Sequence, residues 1–389
     1  MRKKKIIRIT TVPQSLGGLL KGQLRYMNQY FEVIGISSPG IQLQEIEKNE
    51  GVDTFEVEMT RRISPFKDLL SLWKLFQIMR VEKPDIVHTH TPKAGTLGML
   101  AAYFARVPNR LHTVAGLPLI EAKGTKRKLL NFVEKVTYFC ATKIYPNSYG
   151  LKSIIEDERF CDISKLKVIG KGSSNGIDTS YFSLDQIQDK TKVLLQKELG
   201  LFNSDCVFCF VGRIVRDKGI NELINAFQQL SIKYPNCKLI LVGDYEADLD
   251  PISSETLKTI QDHASILEMG WQEDVRPFFA VSDVLAFPSY REGFPNVVMQ
   301  AGAMELPSIV TDINGCNEII EDDHNGIIIP PKDIDALYKA MEELLVNQEK
   351  RKRLLSNARK MITDRYERKF VWKMLLKEYD NILYNSKSN

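Results

Sequence analysis

The chain has 389 residues, 43% hydrophobic and 26% charged, which excludes a disordered chain and leaves room for two domains with cores of their own. No uninterrupted apolar run approaches the ~18–20 residues of a membrane-crossing helix, which excludes a helical membrane-spanning protein. The net charge of +4 hides an asymmetry: residues 1–180 with 365–389 carry 34 basic and 20 acidic side chains (+14), and residues 181–364 carry 19 and 29 (−10).

One part of the chain is therefore suited to an anionic neighbour, whether phosphate, nucleic acid or an anionic membrane surface. The opening Met1-Arg2-Lys3-Lys4-Lys5 precedes only a short apolar segment with no small-residue cleavage site, so it reads as a cytoplasmic start and not as a secretory leader. Short β-rich runs follow at residues 5–12, 32–38, 54–59, 86–90, 110–115, 143–147 and 167–170. Amphipathic stretches at 66–80, 94–106 and 126–141 separate them. Gly17 and Gly18 fall in the turn after the first run, where glycine would permit close approach to a phosphate or another ligand.

A polar stretch at 173–205, containing Asn175-Gly176-Ile177-Asp178, is the natural join. A second series of runs then covers 207–212, 238–243, 266–270, 284–288, 308–311 and 326–329, followed by helical patterns to residue 385. Trp372, Leu375, Leu376 and Tyr379 recur at helical spacing and need a surface to pack on. Strand and helix alternation predicts parallel sheets covered on both faces, so the fold class is α/β with two doubly wound domains. The expected division is residues 1–180, with the segment 365–389 packing back on them, and residues 181–364. Six cysteines at irregular spacing make no disulfide framework. Cys206 and Cys209 form a CxxC, but residues three apart on a strand face opposite sides, so no metal site is expected.

Doubly wound sheets bind ligands at the carboxyl ends of their strands. Two segments there carry chemistry. In Val211-Gly212-Arg213-Ile214-Val215-Arg216-Asp217-Lys218-Gly219, Arg213 offers a guanidinium fork and Lys218 a point charge where an anion would lie, with solvated loop cations as the alternative. In Pro288-Ser289-Tyr290-Arg291-Glu292-Gly293-Phe294-Pro295-Asn296-Val297-Val298-Met299-Gln300, an acid and a glycine precede a helix that Pro295 is suited to open. The amides of Asn296 and Val297 would lie at the positive end of that helix dipole. Glu292 can accept hydrogen bonds from hydroxyls, and Gln300, two helical turns on, can donate and accept. A helix-capping carboxylate is the structural alternative for Glu292.

Together the GRxxxxKG segment, the Pro-Ser-x-x-Glu-Gly-Phe segment and the second polar residue eight positions after Glu292 resemble the family 4 glycosyltransferases, retaining enzymes of the GT-B fold. The resemblance spans nearly the whole chain, including Gly17-Gly18, Asp85-Ile86-Val87-His88-Thr89-His90, the 175–178 linker and Asp283. It is similar above all to bacterial enzymes extending lipid-linked glycans for capsule, O-antigen or protein glycosylation. The resemblance implies two Rossmann-like domains whose parallel sheets face a central cleft, the first binding acceptor and the second a nucleotide-sugar donor, most often a UDP-sugar. It implies that Arg213 and Lys218 neutralise the donor diphosphate without metal. Glu292 would hold a donor-sugar hydroxyl, and the backbone around Gly293, Phe294, Asn296 and Val297 would position sugar and phosphate. The family's second glutamate, which grips ribose hydroxyls, is replaced by Gln300, which loses charge and keeps hydrogen-bonding reach.

A further departure lies at Thr113-Val114-Ala115-Gly116, where many relatives carry a histidine in place of Ala115. His112 lies three residues earlier and would point to the other face, as a core histidine or an acceptor-side group. His90 and Lys93 are the better acceptor-side candidates, with water-facing strand-end residues as the alternative. Lys123, Lys126, Arg127 and Lys128, beside the apolar Leu117-Pro118-Leu119-Ile120 and a helix bearing Leu129, Leu130, Phe132, Val133, Val136 and Phe139, suit an anionic lipid interface. A core helix with a solvated basic end is the alternative. The expected partners are a nucleotide sugar, a polyprenyl-diphosphate-linked glycan and the cytoplasmic face of the inner membrane. Two competing readings are a nucleotide-sugar epimerase on the same fold and a nucleic-acid-binding protein. The second lacks an RNP-like strand, a helix-turn-helix pattern and a zinc module, so nucleic acid is not expected.

Overall fold

The computed structural model describes residues 3–60, 64–117, 119, 122–246 and 250–385. The chain divides into two compact units, Met1–Gly176 with Lys369–Asn389, and Ile177–Arg368. The expected division placed these boundaries at 180 and 364.

The first unit holds β1 (Lys5–Ile9), β2 (Glu32–Ser37), β3 (Asp53–Glu56), β4 (Ile86–His90), β5 (Asn109–Val114) and β6 (Lys143–Pro146) in one sheet, ordered β3-β2-β1-β4-β5-β6. The second holds β7 (Cys206–Val211), β8 (Cys237–Val242), β9 (Ile266–Glu268), β10 (Val284–Phe287), β11 (Ser308–Thr311) and β12 (Gly326–Ile329), ordered β12-β11-β10-β7-β8-β9. All their pairings are parallel. Counted from the first strand of each unit, the two orders are the same. The strand order reverses between β1 and β4 in one unit and between β7 and β10 in the other, and ligands of doubly wound sheets lie at such switch points.

Sequence explains why these strands are central. Every residue of β1, β4, β7 and β10 is buried, as strands covered on both faces require. The switch strands are also pinned in the same way: Asp85, just before β4, accepts from the Lys5 backbone N–H at 2.9 Å, and Asp283, just before β10, accepts from that of Val207 at 2.8 Å.

One expectation is corrected. Residues 167–170 form no strand; the chain touches β6 through an isolated bridge between Ile144 and Leu166, the residue before them. Gly170 and Gly172 adopt φ of 61° and 105°, and this left-handed backbone turns the chain away from an extended path. Gly17 and Gly18 lie after the first strand, in the helical turn Ser15–Leu19. Gly17 is small because a Cβ there would meet Ile46 at 3.0 Å, whereas one on Gly18 would meet nothing within 4 Å.

The first sheet has a core on each face. One gathers Leu75, Met79, Met99 and Tyr138 from the helices Pro65–Glu82, Pro92–Phe104 and Gly124–Cys140. On the other, Trp372, Leu375, Tyr379 and Leu383 of the helix Arg368–Asn385 pack with Ile6, Val33, Ile86 and Leu111. That answers what the final amphipathic segment rests on. The second unit has one continuous core built around Phe208, Phe210, Phe279 and Phe287. All six cysteines are free; Cys206 and Cys209 are buried in β7, where burial pushes both thiols up to about 12.

Candidate functional site

At the switch point of the second unit, the loop after β7 meets the loop after β10. Gly212 leaves β7 at φ 152°, and a Cβ on neighbouring Gly243 would lie 1.9 Å from the Gly212 carbonyl oxygen, so the ends of β7 and β8 touch backbone to backbone. Gly219 adopts φ 72°, and a Cβ there would fall 2.1 Å from the Pro288 carbonyl oxygen. These contacts admit only glycine and bring the segment 213–218 against the segment 288–292. The Tyr290 backbone N–H donates to the Asp217 carbonyl at 2.8 Å, and Arg291 pairs with the Asp217 carboxylate at 2.9 Å.

The side chains converge there. Lys218 forms an ion pair with Glu292, and the two side chains are only 14% and 15% exposed. Glu292 also accepts from Ser289 Oγ at 3.0 Å. The Lys218 ammonium stands 5.5 Å from the centroid of the Phe287 ring, a cation–π position. Arg213, about half exposed, pairs with Glu246 at 2.5 Å. The Glu292 carboxylate is thus held by Lys218 and Ser289 and is not a helix cap. The helix begins at Asn296, with Pro295 one position before it. Asn296 is exposed, Gly293, Val297 and Gln300 are half-buried, and Phe294 is buried against Tyr366 with ring centroids 5.2 Å apart. First-turn amides of such a helix have no intrahelical acceptor and favour an anion.

Sequence reasoning missed Asn314 and Gly315. The Asn314 amide donates to the Glu292 carbonyl and, at 3.3 Å, to that of Gly293. Gly315, at φ 80°, lets the chain pass where a Cβ would lie 2.5 Å from the Gly293 oxygen. An Asn-Gly step after a buried strand signals a turn, but its contact with residue 292 is a matter of tertiary geometry. Among the described residues no group of three His, Cys, Asp or Glu side chains is placed to hold a metal ion.

In the first unit His90 and His112 are both buried. His112 bonds Thr89 Oγ1 at 2.8 Å, and a Cβ on Gly95 would meet its ring at 2.4 Å. It is a core histidine beneath a helix, which corrects its candidacy as an acceptor-side group. Lys93 pairs with Asp68 at 2.6 Å, so its charge is already matched, and it does not simply face water. His90 ends β4 and bonds Arg8, a fully buried cation that sequence reasoning passed over. Gly17, Gly18 and Lys21 line a separate cavity of about 240 Å³.

Burial pushes His112 down to about 4 and His88 and His90 well below the usual 6.5, with Arg8 adding to the shift in the latter two. Unfolded, these imidazoles take up protons from about pH 6.5 downward; folded His112 does so only near 4. Stability is therefore complete above about 6.5 and is lost as pH falls from there toward 4. The melting temperature should drop across that window, and a His112→Asn variant should show a flatter decline. Parallel curves for the two proteins would refute the assignment.

Residues 193–361 match the family described as glycosyl transferases group 1, and residues 20–148 match glycosyl transferase 4-like. The chain is 34% identical over 387 residues to the capsular polysaccharide biosynthesis glycosyltransferase CapM of Staphylococcus aureus, covering 99% of each chain. It is 32% identical to the UDP-Gal:alpha-D-GlcNAc-diphosphoundecaprenol alpha-1,3-galactosyltransferase of Escherichia coli, over 83% of this chain and 84% of that one. Among solved structures, HepE of Anabaena in complex with UDP shares the fold with a TM-score of 0.80 at 18% identity, covering 97% of this chain and 100% of that one. Two parallel doubly wound sheets of one strand order, and an identity above 30% sustained along the whole chain, lead to one conclusion: the chain belongs to the group 1 and 4-like glycosyltransferases and is a glycosyltransferase of the GT-B fold.

Proposed function

We propose that the enzyme transfers a hexose or N-acetylhexosamine, with retention and without metal, from a UDP-sugar to a polyprenyl-diphosphate-linked glycan at the cytoplasmic face of a membrane. The observation that carries this reading is the Lys218–Glu292 pair, sheltered at the β7/β10 switch point on the loop that also carries Arg213. Lys218 and Arg213 are the cations for the diphosphate and for the charge that grows on it as the glycosidic bond breaks. Glu292 accepts from a donor-sugar hydroxyl, the backbone from Gly293 to Val297 positions sugar and phosphate, and Gln300 takes the ribose hydroxyls. Gly17 and Gly18, in the cavity they share with Lys21, are the glycines offered to donor phosphate or acceptor. The leaving diphosphate and the attacking hydroxyl work on one face of the sugar, so no carboxylate need form a covalent intermediate. UDP in the HepE structure and the donor and lipid diphosphate in the name of the Escherichia coli relative support the donor and acceptor classes.

The unit Met1–Gly176 with Lys369–Asn389 carries 32 basic and 18 acidic side chains. On the helix Gly124–Cys140, Leu129, Phe132 and Phe139 are exposed beside exposed Lys126, Lys128 and Lys135. On the helix Pro65–Glu82, exposed Phe66, Leu69, Leu70 and Trp73 form one face with Lys67 and Lys74 beside it. Apolar groups among cations support docking on anionic lipid. Arg127 is otherwise engaged, donating to the Leu119 carbonyl at 2.5 Å and pairing with Glu158. Pro118 and Ile120 of the apolar loop lie outside the described residues.

The test is a panel of nucleotide sugars offered with a polyprenyl-diphosphate-GlcNAc acceptor in anionic vesicles, with and without EDTA. An α-configured product from a UDP-sugar, formed equally in EDTA, is expected. Equal transfer to free soluble sugars, or conversion of the donor alone to another sugar, would overturn the reading.

A further inference from the structure

Where the carboxyl ends of β4, β5 and β6 come together, a cavity of about 20 Å³ is lined by His90, Thr113, Tyr145, Asn147 and Ser174, with the helix Arg368–Asn385 closing one side. That volume holds one water-sized group. Among the described residues, three polar atoms of its lining find no hydrogen-bond partner: His90 Nδ1, Asn147 Oδ1 and Ser174 Oγ. The other polar groups on the wall are engaged, Thr113 Oγ1 with His88 Nε2 at 2.8 Å and Tyr145 OH with Glu378 at 3.1 Å.

What sits behind His90 decides what the cavity offers. Arg8 Nη2 donates to Gln23 Oε1 at 2.6 Å and meets His90 Nε2 at 2.8 Å. A guanidinium can only donate, so His90 Nε2 is the acceptor. Burial beside that cation keeps the ring neutral, and its one proton therefore resides on Nδ1. The cavity residues thus offer an N–H donor from His90, an amide oxygen acceptor from Asn147 and a hydroxyl from Ser174. A halide or phosphate oxygen would satisfy His90 and be repelled by Asn147 Oδ1; an ammonium would do the reverse. A carbonyl lacks the proton that Asn147 needs. A hydroxyl oxygen accepts and donates at one atom and satisfies both.

We propose that this cavity is a seat for a single hydroxyl group, which accepts from His90 Nδ1–H, donates to Asn147 Oδ1 and bonds Ser174 Oγ. Two sources share that chemistry: a bound water, or, resting on the transfer reaction proposed above, a hydroxyl of the acceptor sugar. Arg8 is then a positioning residue, fixing the tautomer through which His90 acts.

Asn147→Ala and Ser174→Ala separate the cases, read by the melting temperature of the substrate-free protein and by the KM values for acceptor and donor. A seated sugar hydroxyl predicts an acceptor KM raised about fivefold or more in each variant, with the donor KM unchanged. A seated water predicts a lower melting temperature and an unchanged acceptor KM, with density at about 2.7–3.2 Å from His90 Nδ1 in a crystal structure. Both results support the seat. Variants that melt at or above the wild-type temperature and keep the wild-type acceptor KM would overturn it, because deleting a polar atom that holds nothing relieves a cost. A protein that transferred no sugar to lipid-linked acceptors would refute only the transfer reading, and the melting and density measurements would still decide the seat.

Discussion

Lys218→Ala is expected to lower the turnover of sugar transfer by about 10²–10³-fold, the usual cost of removing one preorganised group aimed at developing charge. Its ammonium lies in a site of low exposure, where a fixed charge acts more strongly than in water and needs no reorganisation as the diphosphate departs. Arg213→Ala should cost less, since Arg213 is about half exposed and shares its charge with Glu246. Loss of Lys218 also leaves the Glu292 carboxylate with Ser289 alone among the described residues, and an unpaired, partly buried carboxylate destabilises the loop. The double variant Lys218→Met, Glu292→Gln separates the two effects. It removes both charges, so its melting temperature should recover toward wild type while transfer stays lost. Wild-type turnover in Lys218→Ala, or transfer that recovers with stability in the double variant, would remove Lys218 from the chemistry.

The strands that build this site were legible because parallel sheets demand continuous apolar runs, and Val207 to Val211 or Val284 to Phe287 could be little else. Arg213, Lys218 and Glu292 were legible because each follows such a run at the end where ligands lie. What holds them was not. Asn314 and Gly315 stand 22 residues beyond Glu292 and Gly293, on the loop after a different strand, and only the packing of β11 beside β10 brings them together. Arg8 was hidden for another reason. Among Ile6, Ile7 and Ile9 an arginine reads as a surface residue on a strand edge, yet β1 is central and Arg8 has no exposed face. Its acceptors, Gln23 and His90, lie 15 and 82 residues away. His112, three residues before Ala115, was read as pointing to the other face, and its contact with Gly95 shows what covers it there: a helix.

Gly219→Ala should damage stability and transfer together, and by more than its single methyl suggests. The residue sits at φ 72°, which an alanine adopts only under strain, and its Cβ would fall 2.1 Å from the Pro288 carbonyl oxygen. The obstacle is backbone at the exit of β10, so it cannot be relieved by a side-chain rotation. Either the helix Ile220–Lys233 shifts or the 288–292 loop does, and a loss of about 2–4 kcal/mol is expected from strain and overpacking combined. Lys218 is the residue before the glycine and Glu292 is four residues after the proline. Any separation of these backbones therefore opens the Lys218–Glu292 pair even in molecules that remain folded. Chemical denaturation should give a lower midpoint with an unchanged slope, and turnover measured well below the melting temperature should still fall at least about tenfold. A variant that loses stability but transfers at the wild-type rate would show that the pair tolerates the displacement. The close approach at Gly219 would then serve the fold alone.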